Sequence, residues 1–187
     1  MNQQNKLSLQ ALNSLKSLDA QKWFGQCCAA PKWFTGMTQA RPFNDFESVT
    51  QAAKDMWQQC SNADILTAFE AHPMIGDVNS LRKKYAATKK IASNEQQGAA
   101  EADEKTLHDL SCANHEYLNI HGFIFIICAS GLSAQTMLHA LTLRLKNDTP
   151  TEILLAAAEQ IKITLLRLEK GLDEGLEHTP EKGIQTL

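Results

Sequence analysis

Three polar groups stand apart along the chain, and each has side chains suited to acid–base or anion chemistry. They are His72, within the sequence Ala71-His-Pro-Met-Ile-Gly76, the pair Glu95-Gln96, and Arg167. A histidine titrates near neutral pH and can carry a proton during catalysis. An arginine presents a planar fork of donors that matches a carboxylate. The sequence therefore offers a candidate proton carrier and a candidate anion-binding residue, far apart along the chain.

Each of these groups also has an ordinary structural explanation. His72 could cap the C-terminus of a helix, where the helix dipole favours a cation, and on chemistry alone this interpretation is preferred. Glu95 and Gln96 suit the first turn of a helix, which explains their spacing fully. Arg167 could form an exposed ion pair with charged neighbours such as Glu169 or Lys170. The residue types alone leave both interpretations open.

Three further histidines and the five cysteines show no metal-binding pattern. Three histidines lack the i, i+4 pairing of a helical metal site, and we interpret them as surface residues. They are His108, His115 and His121. The five cysteines include no CxxC pair, so we expect reduced thiols, mostly in the core, and neither a structural zinc site nor a disulfide framework. They are Cys27, Cys28, Cys60, Cys112 and Cys128.

Charge and length exclude several classes of partner. The net charge is −3, with acidic and basic residues interspersed, so no basic patch is available to neutralise a run of phosphates. The longest apolar run, 123–129, is too short to span a bilayer, and the first ten residues lack the apolar region of a secretory signal. We expect a cytoplasmic protein of one domain, with no nucleic-acid or membrane partner.

Helix signals dominate the region before His72. Asn44 with Glu47 has the spacing of a capping box and predicts a helix that ends near Cys60. Ser61 with Asp64 predicts the start of another short helix.

The end of that short helix fixes the position of His72. Pro73 disfavours helical geometry in the residue before it, so the helix must end near Ala71 and His72. His72 is therefore predicted at a corner between a helix and a loop.

The middle of the chain combines a long helix with an apolar segment. Ser93 with Gln96 predicts the start of a largely exposed helix that runs through Tyr117 and ends at Gly122. The segment 123–129 is β-branched and aromatic, which predicts one buried strand or extended stretch without a partner strand. Its backbone N–H and C=O groups need hydrogen-bond partners, and a ligand could supply them.

Two helices are predicted after this segment. Ser133 begins the first, which ends at Asn147-Asp148. Thr149-Pro150-Thr151-Glu152 then combines an N-cap, a proline in the first helical position and the glutamate of a capping box. Apolar residues at spacings of three and four follow, which predicts a seam that packs on another helix. The seam consists of Leu154, Ala157, Ile161, Leu165 and Leu168.

These elements predict an all-α, single-domain helical bundle with one short extended apolar segment at about 123–129. Its core is expected to span about residues 9–172, and residues 173–187 are expected to form a polar, frayed tail.

Four motifs in order resemble one family. They are His-Pro-x-Ile-Gly, then Glu-Gln-x-Gly, then Glu-Tyr with Gly-Phe-x-Phe-Ile-Ile-Cys-Ala-Ser-Gly, then Glu-Gln-x-Lys-Ile-Thr-x-x-Arg-Leu. No single motif is diagnostic, but their order over roughly Leu9 to Leu172 is specific. The chain resembles the 2-oxo-4-hydroxy-4-carboxy-5-ureidoimidazoline (OHCU) decarboxylases. This resemblance implies an all-α fold, commonly a homodimer, and a cofactor-independent reaction that yields (S)-allantoin and CO2 in urate catabolism.

The resemblance also implies a set of site residues. The catalytic positions fall on His72, Glu95 and Arg167. The implied substrate-binding residues are Pro73, Ala92, Ser93, Asn94, Glu95, Gln96, Phe123, Ile124, Phe125, Ile126, Ile127 and Arg167. One position departs from the family, because its Ser-x-x-Glu-Gln motif has Ala92 in the serine position and Ser93 one residue later. Either Ser93 substitutes or that hydrogen bond is absent.

The implied chemistry fits these residue types. Loss of CO2 leaves an electron pair that the ring can delocalise as an enol-type intermediate, so no metal or organic cofactor is needed as an electron sink. Protonation from one face requires a placed acid such as His72, with the ureido group held by Glu95 and Gln96. Two alternatives stay open, an inactive helical interaction module and a related ureido or imidazole substrate, which Ala92 suggests.

Overall fold

The described residues of the computed structural model are 6–74 and 97–173, with side chains described from residue 104 in the second range. This part of the chain forms eight helices and one parallel pair of two-residue strands, which confirms the mostly-α fold. The helices are α1 (Leu9–Ser14), α2 (Ser17–Cys27), α3 (Pro31–Gln39), α4 (Phe46–Gln58), α5 (Asn62–Glu70), α6 (Gln97–His121), α7 (Ala134–Arg144) and α8 (Thr149–Gly171). The strands are β1 (Leu7–Ser8) and β2 (Leu172–Asp173), with Leu7 opposite Leu172.

Local capping chemistry begins α4 and α5. The capping box of α4 is formed by Asp45 and Ser48, so the predicted pair Asn44 and Glu47 is wrong by one residue. Asp45 has extended backbone, and its carboxylate accepts from the Ser48 N–H at 2.7 Å. The predicted capping box of α5 is confirmed, with both reciprocal hydrogen bonds between Ser61 and Asp64 present.

The ends of α5 and α6 are also as predicted. α5 ends at Glu70, and the His72 N–H donates to the Phe69 carbonyl at 3.0 Å. α6 ends at His121, where Gly122 adopts a left-handed φ of 77° that residues with a Cβ rarely adopt. The predicted start of α6 at Ser93 with Gln96 lies outside the described residues.

One face of α6 is buried, which corrects the prediction of a largely exposed helix. The buried positions of its described side chains are Leu107, Leu110, Asn114, Tyr117 and His121. His108 and His115 are exposed as predicted, but His121 is only 6% exposed, so its surface assignment is wrong. The His121 ring packs on Tyr117 with 4.4 Å between centroids, and its Nδ1 lies 3.1 Å from the Thr149 hydroxyl.

The start of α7 is as predicted, but that of α8 is not. Ser133 caps α7 by accepting from the Thr136 N–H at 3.1 Å, and α7 ends at Arg144, before the predicted Asn147-Asp148. The N-cap of α8 is Asp148 and not Thr149, because the Asp148 carboxylate accepts from the Thr151 N–H at 2.9 Å.

The buried stripe of α8 differs from the predicted apolar seam. Its members are spaced four residues apart: Glu152, Ala156, Gln160, Thr164 and Leu168. Leu154 of the predicted seam is 71% exposed, and only Leu168 is fully buried. Three of the five buried residues are polar, so the inner face of α8 must find hydrogen-bond partners inside the protein.

α8 is the helix around which the described part of the fold is arranged. It contacts α2, α4, α5 and α6, and the Trp57 indole of α4 donates to the Ala157 carbonyl at 3.0 Å. The fully buried Phe24, Trp33 and Phe69 fill the space between the helices. None of the described helices combines the length and the apolar character needed to cross a bilayer.

The five cysteines are free thiols. Cys27 and Cys28 are buried, Cys60 and Cys128 are half-buried, and Cys112 is exposed, so the expected core position holds for only part of the set.

Candidate active site

His72 follows the end of α5, and its ring faces α8. Its Nε2 lies 2.7 Å from the Oε1 of Gln160, a fully buried side chain. Burial lowers the pKa of His72 below its usual 6.5, and repulsion from the Arg167 cation lowers it further. The Gln160 hydrogen bond acts in the opposite direction but does not outweigh burial. The ring is therefore neutral at pH 7 and available as a base. A histidine that capped a helix as a cation would need a raised pKa instead.

Gln160 is held in turn by Thr164, one helical turn further along α8. The Gln160 Nε2 donates to the Thr164 Oγ1 at 3.2 Å, and the Thr164 hydroxyl donates to the backbone carbonyl of Gln160 at 3.0 Å. Thr164 is also fully buried. His72 is thus connected to the interior by a chain of hydrogen bonds whose members have little freedom to move.

Arg167 lies two helical turns beyond Gln160 and is half-buried. Its Nη1 donates to the Cys27 carbonyl at 3.0 Å, which anchors the guanidinium at the end of α2. This contact is internal, unlike the exposed ion pair that its charged neighbours suggested. A guanidinium carries five N–H donors, so one anchored donor leaves a fork that can still bind an anion.

A cleft of about 330 Å³ adjoins Arg167. One wall is the end of the extended segment, and the other is the last two turns of α8. The lining residues are Ile127, Cys128, Ala129, Ser130, Ile163, Leu166, Arg167 and Lys170. Two cations beside an apolar wall favour a small organic anion.

The extended segment of Phe123 to Ala129 pairs with no strand in the described part of the chain, as predicted. Two side chains hold its backbone. Arg144 Nη1 donates to the Ile126 carbonyl at 2.8 Å, and the Cys128 N–H donates to Glu159 Oε2 at 2.8 Å. Burial opposes the Glu159 charge, but hydrogen bonds from Lys162 and from the Cys128 N–H lower its pKa overall. The side chains of Phe123, Phe125 and Ile126 are buried, while Ile124 and Ile127 are half-buried.

A buried polar cluster behind the segment was not predicted. Glu152, interpreted from the sequence as part of a capping box, is fully buried and pairs with Arg144 at 2.7 Å. Its carboxylate also accepts from the Tyr117 hydroxyl and from Asn147 Nδ2. Burial raises the pKa of Tyr117, and its hydrogen bond to Glu152 acts in the same direction. No spacing rule reveals this cluster, because its members come from three helices and the turn between α7 and α8.

The two cysteines at the end of α2 are not nucleophiles. Burial raises the pKa of Cys27 to about 12, against the opposing effect of Arg167. Burial also raises the pKa of Cys28. Thiols of this kind are protonated at neutral pH, and the thiolate is the reactive form.

The structure brings together part of the predicted site. His72 contacts α8 at Gln160, two helical turns before Arg167, and the arginine is close enough to lower the histidine pKa. Pro73 is exposed beside His72, and the extended segment forms the wall of the Arg167 cleft. The predicted residues 92–96, including Glu95 and Gln96, lie outside the described residues. Gln160 and Thr164 were missed, although both belong to the last motif.

In the described residues, no group of three or more His, Cys, Asp or Glu side chains is arranged to hold a metal ion.

Comparison with known proteins connects this arrangement to characterised relatives. The chain is 37% identical over 145 residues to an Arabidopsis thaliana protein named "Uric acid degradation bifunctional protein TTL", covering 77% of this chain and 44% of that protein. It is 23% identical over 176 residues to a uric acid degradation bifunctional protein of a Bacillus species, covering 90% of this chain and 33% of that one. The chain therefore spans less than half the length of these curated relatives.

Solved structures share the fold. A crystal structure of OHCU decarboxylase determined in the presence of (S)-allantoin matches with a TM-score of 0.64 and 34% identity, covering 80% of this chain and 96% of that one. A crystal structure of (S)-allantoin synthase matches with a TM-score of 0.65 over 89% of this chain and 54% of that one, but at 18% identity it supports the fold alone.

The matched region contains the helices that place His72 and Arg167. The family model of OHCU decarboxylase matches residues 13–169, which is most of the chain and includes α8 up to Glu169. Sequence and fold therefore agree, and the chain belongs to the OHCU decarboxylase family.

Proposed function

We propose that this chain decarboxylates OHCU to (S)-allantoin and CO2 in the breakdown of urate, and that His72 and Arg167 act in the reaction. The observation that carries the proposal is the neutral His72, held by a partly buried hydrogen bond to Gln160 on the same helix whose Arg167 lines the cleft. Family membership and the relatives named for uric acid degradation support the substrate class.

The proposed reaction balances with one proton taken from solvent. The bond between the ring carbon and its carboxylate breaks, CO2 leaves, and the electron pair moves through the ring to the neighbouring C=N nitrogen, which is protonated from solvent. An enol remains, with the hydroxyl on the former carboxyl-bearing carbon. Removal of the hydroxyl proton and addition of a proton to the adjacent carbon then give the keto product.

His72 suits both proton transfers in the second stage. As a neutral base it accepts the hydroxyl proton, and as the resulting cation it delivers a proton to the carbon on the face that it occupies. Delivery from one face gives a single enantiomer. The low pKa of His72 matters because only the neutral ring can begin this exchange. The ring of the substrate serves as the electron sink, so the proposed reaction requires no cofactor.

Arg167 supplies a positive charge that matches the negative charge of the substrate. We propose that its guanidinium orients the substrate carboxylate by charge-assisted hydrogen bonds, with Nη1 kept in place by the Cys27 carbonyl. The backbone of Phe123 to Ile127 is proposed to contact the planar ring of the substrate. The neighbouring Pro73 would border the site on the side of α5.

The ureido group of the substrate is assigned by resemblance to residues outside the described part. Glu95, the third proposed catalytic residue, and Gln96 are proposed to hold this group, with Ala92 to Asn94 beside them. Ala92 replaces the family serine, so Ser93 is proposed to take over its hydrogen bond.

We further propose that the chain forms one domain, acts in the cytoplasm and assembles as a homodimer. Exposed apolar side chains on α6, α7 and α8 are candidates for the interface: Ile120 is 50% exposed, Leu143 is 51% exposed and Leu154 is 71% exposed. Sedimentation at several concentrations tests the assembly. A monomer at micromolar concentration would reject the homodimer.

The proposed activity is tested by forming the unstable substrate in place. Urate oxidase and hydroxyisourate hydrolase convert urate to OHCU, this protein is added, and circular dichroism follows optically active allantoin. We expect a rate well above the background with wild type and close to background with His72→Asn. An inactive but folded wild type would instead indicate an interaction module, and turnover of another ureido or imidazole compound would indicate a different substrate.

A further inference from the structure

We propose that Gln160 is a positioning residue which, with Thr164, fixes the ring of His72 so that Nδ1 alone exchanges the catalytic proton. The inference deepens the proposed function and rests on it for the role of His72. It concerns two residues of the last motif that neither the sequence analysis nor the proposed reaction uses.

The orientation of the Gln160 amide follows from the bonding of Thr164. A threonine hydroxyl has one hydrogen to donate. Thr164 donates that hydrogen to the backbone carbonyl of Gln160 at 3.0 Å. The neighbouring Cys28 thiol, which also bonds to Thr164, is protonated and can itself donate, so the Thr164 oxygen accepts from its other partners. The Gln160 side-chain atom facing it, at 3.2 Å, must then be the NH2 group. Both residues are fully buried, so water does not offer the amide a competing partner.

The orientation of the amide determines the tautomer of His72. With its NH2 group facing Thr164, Gln160 presents Oε1 to His72 Nε2 at 2.7 Å. An amide oxygen only accepts hydrogen bonds, so Nε2 must carry a hydrogen. In a neutral imidazole the single lone pair for proton transfer then lies on Nδ1. The hydrogen bond needs no rearrangement when the ring becomes a cation, because Nε2 carries a hydrogen in both states.

The Gln160 amide orients the ring and favours its charged form less than burial disfavours that form, so the pKa of His72 stays lowered. A carboxylate at the same place would fix the same tautomer but would stabilise the imidazolium. Gln160 therefore orients the ring while leaving it able to act as a base near neutrality. This explains why α8 buries a glutamine and a threonine where an apolar pair would pack with no need for partners.

The first test is the tautomer of His72 in the wild-type protein. Nitrogen-15 NMR of histidine-labelled protein distinguishes an N–H nitrogen from one with a lone pair, and His72→Asn identifies the signals of His72 among those of the six histidines. At a pH where the ring is neutral, we expect one tautomer with hydrogen on Nε2. A neutral ring with hydrogen on Nδ1, or a mixture of the two tautomers, would overturn the inference.

The second test removes each hydrogen-bonding group at nearly constant volume. Gln160→Met and Thr164→Val should give mixed His72 tautomers, while Thr164→Ser, which keeps the hydroxyl, should retain the wild-type tautomer. For Gln160→Met we expect kcat to fall about 10- to 100-fold, the range typical of losing a group that orients a metal-binding histidine, with a smaller change in KM. Gln51→Met and Thr142→Val make the same changes on exposed helix surfaces and serve as matched controls.

The two proposals fail in different ways. A wild type without decarboxylase activity but with hydrogen on Nε2 of His72 would reject the proposed function and uphold the fixed tautomer. A folded Gln160→Met protein with a single tautomer and wild-type kcat would reject the positioning role and leave the proposed function intact.

Discussion

The ion pair between Glu152 and Arg144 should be a major source of stability, and Glu152→Gln tests it with almost no change of shape. The fully buried carboxylate accepts from Arg144 Nε and Nη2, both at 2.7 Å, and from Asn147 at 2.7 Å. It also accepts from the Tyr117 hydroxyl. The amide keeps the volume but removes the charge, and one of its two polar atoms becomes a donor that faces other donors.

The expected loss of stability follows from the burial of Arg144, whose cation has no counter-ion after the substitution. The Arg144 side chain is only 13% exposed, so water can solvate it poorly after its counter-ion is removed. Breaking a buried pair in this way costs about 3–5 kcal/mol. For a chain of this size each kcal/mol lowers Tm by roughly 2–4 °C, so the expected decrease is about 6–20 °C.

Differential scanning calorimetry with urea unfolding measures this cost, and Asp19→Asn provides the matched control. Asp19 pairs with Lys22 at 4.0 Å, with side chains 54% and 68% exposed, so the same carboxylate-to-amide change should cost about 0–1 kcal/mol there. The reasoning would be refuted if Glu152→Gln cost no more than Asp19→Asn.

Four further outcomes are expected. His72→Asn should lower kcat by about 10² to 10⁴-fold; it should also cost roughly 1–3 kcal/mol of stability, since the buried Gln160 acceptor loses its partner. Near-normal turnover by the folded variant, measured beside its unfolding curve, would end the catalytic assignment. Arg167→Lys keeps the charge but loses the fork, so kcat/KM should fall at least about tenfold, or ~1.4 kcal/mol, and wild-type kinetics would reject the anion-binding role. Because folding lowers the pKa of His72, the unfolded chain takes up a proton at this residue first. The contribution of His72 to stability is therefore intact above about pH 6.5 and declines on acidification. His72→Asn should remove this decline when the free energies of unfolding at pH 5 and pH 7 are compared. Chelators should leave turnover unchanged, and activity lost to a chelator and restored by one metal would contradict the proposed chemistry.

Elements governed by neighbouring residues were predictable from the sequence. The capping box of Ser61 and Asp64, the N-cap at Ser133 and the turn at Gly122 each depend on groups within about one helical turn. The same chemistry explains the small errors. Asp45 and Asp148 lie one residue from the predicted caps, and neighbouring Asn and Thr side chains can cap equally well.

Features that depend on distant partners could not be predicted in this way. The sequence ranks Leu154 as more apolar than Gln160, yet Leu154 is exposed and Gln160 is buried. Gln160 can be buried because its side chain bonds to His72. That partner lies 88 residues away in the sequence. Glu152 likewise depends on Tyr117, 35 residues away. Only tertiary packing brings such pairs together, and hydrophobic periodicity does not register them.

The pairing of β1 with β2 brings the first and last described elements of the chain together. Leu7 lies opposite Leu172, and Ser8 lies opposite Asp173, in a parallel register. The chain therefore enters and leaves the helical bundle on two adjacent strands, running in the same direction along both. Such a layout lets the bundle act as a cassette within a longer polypeptide, since its insertion separates the flanking sequences by little more than the spacing of two strands.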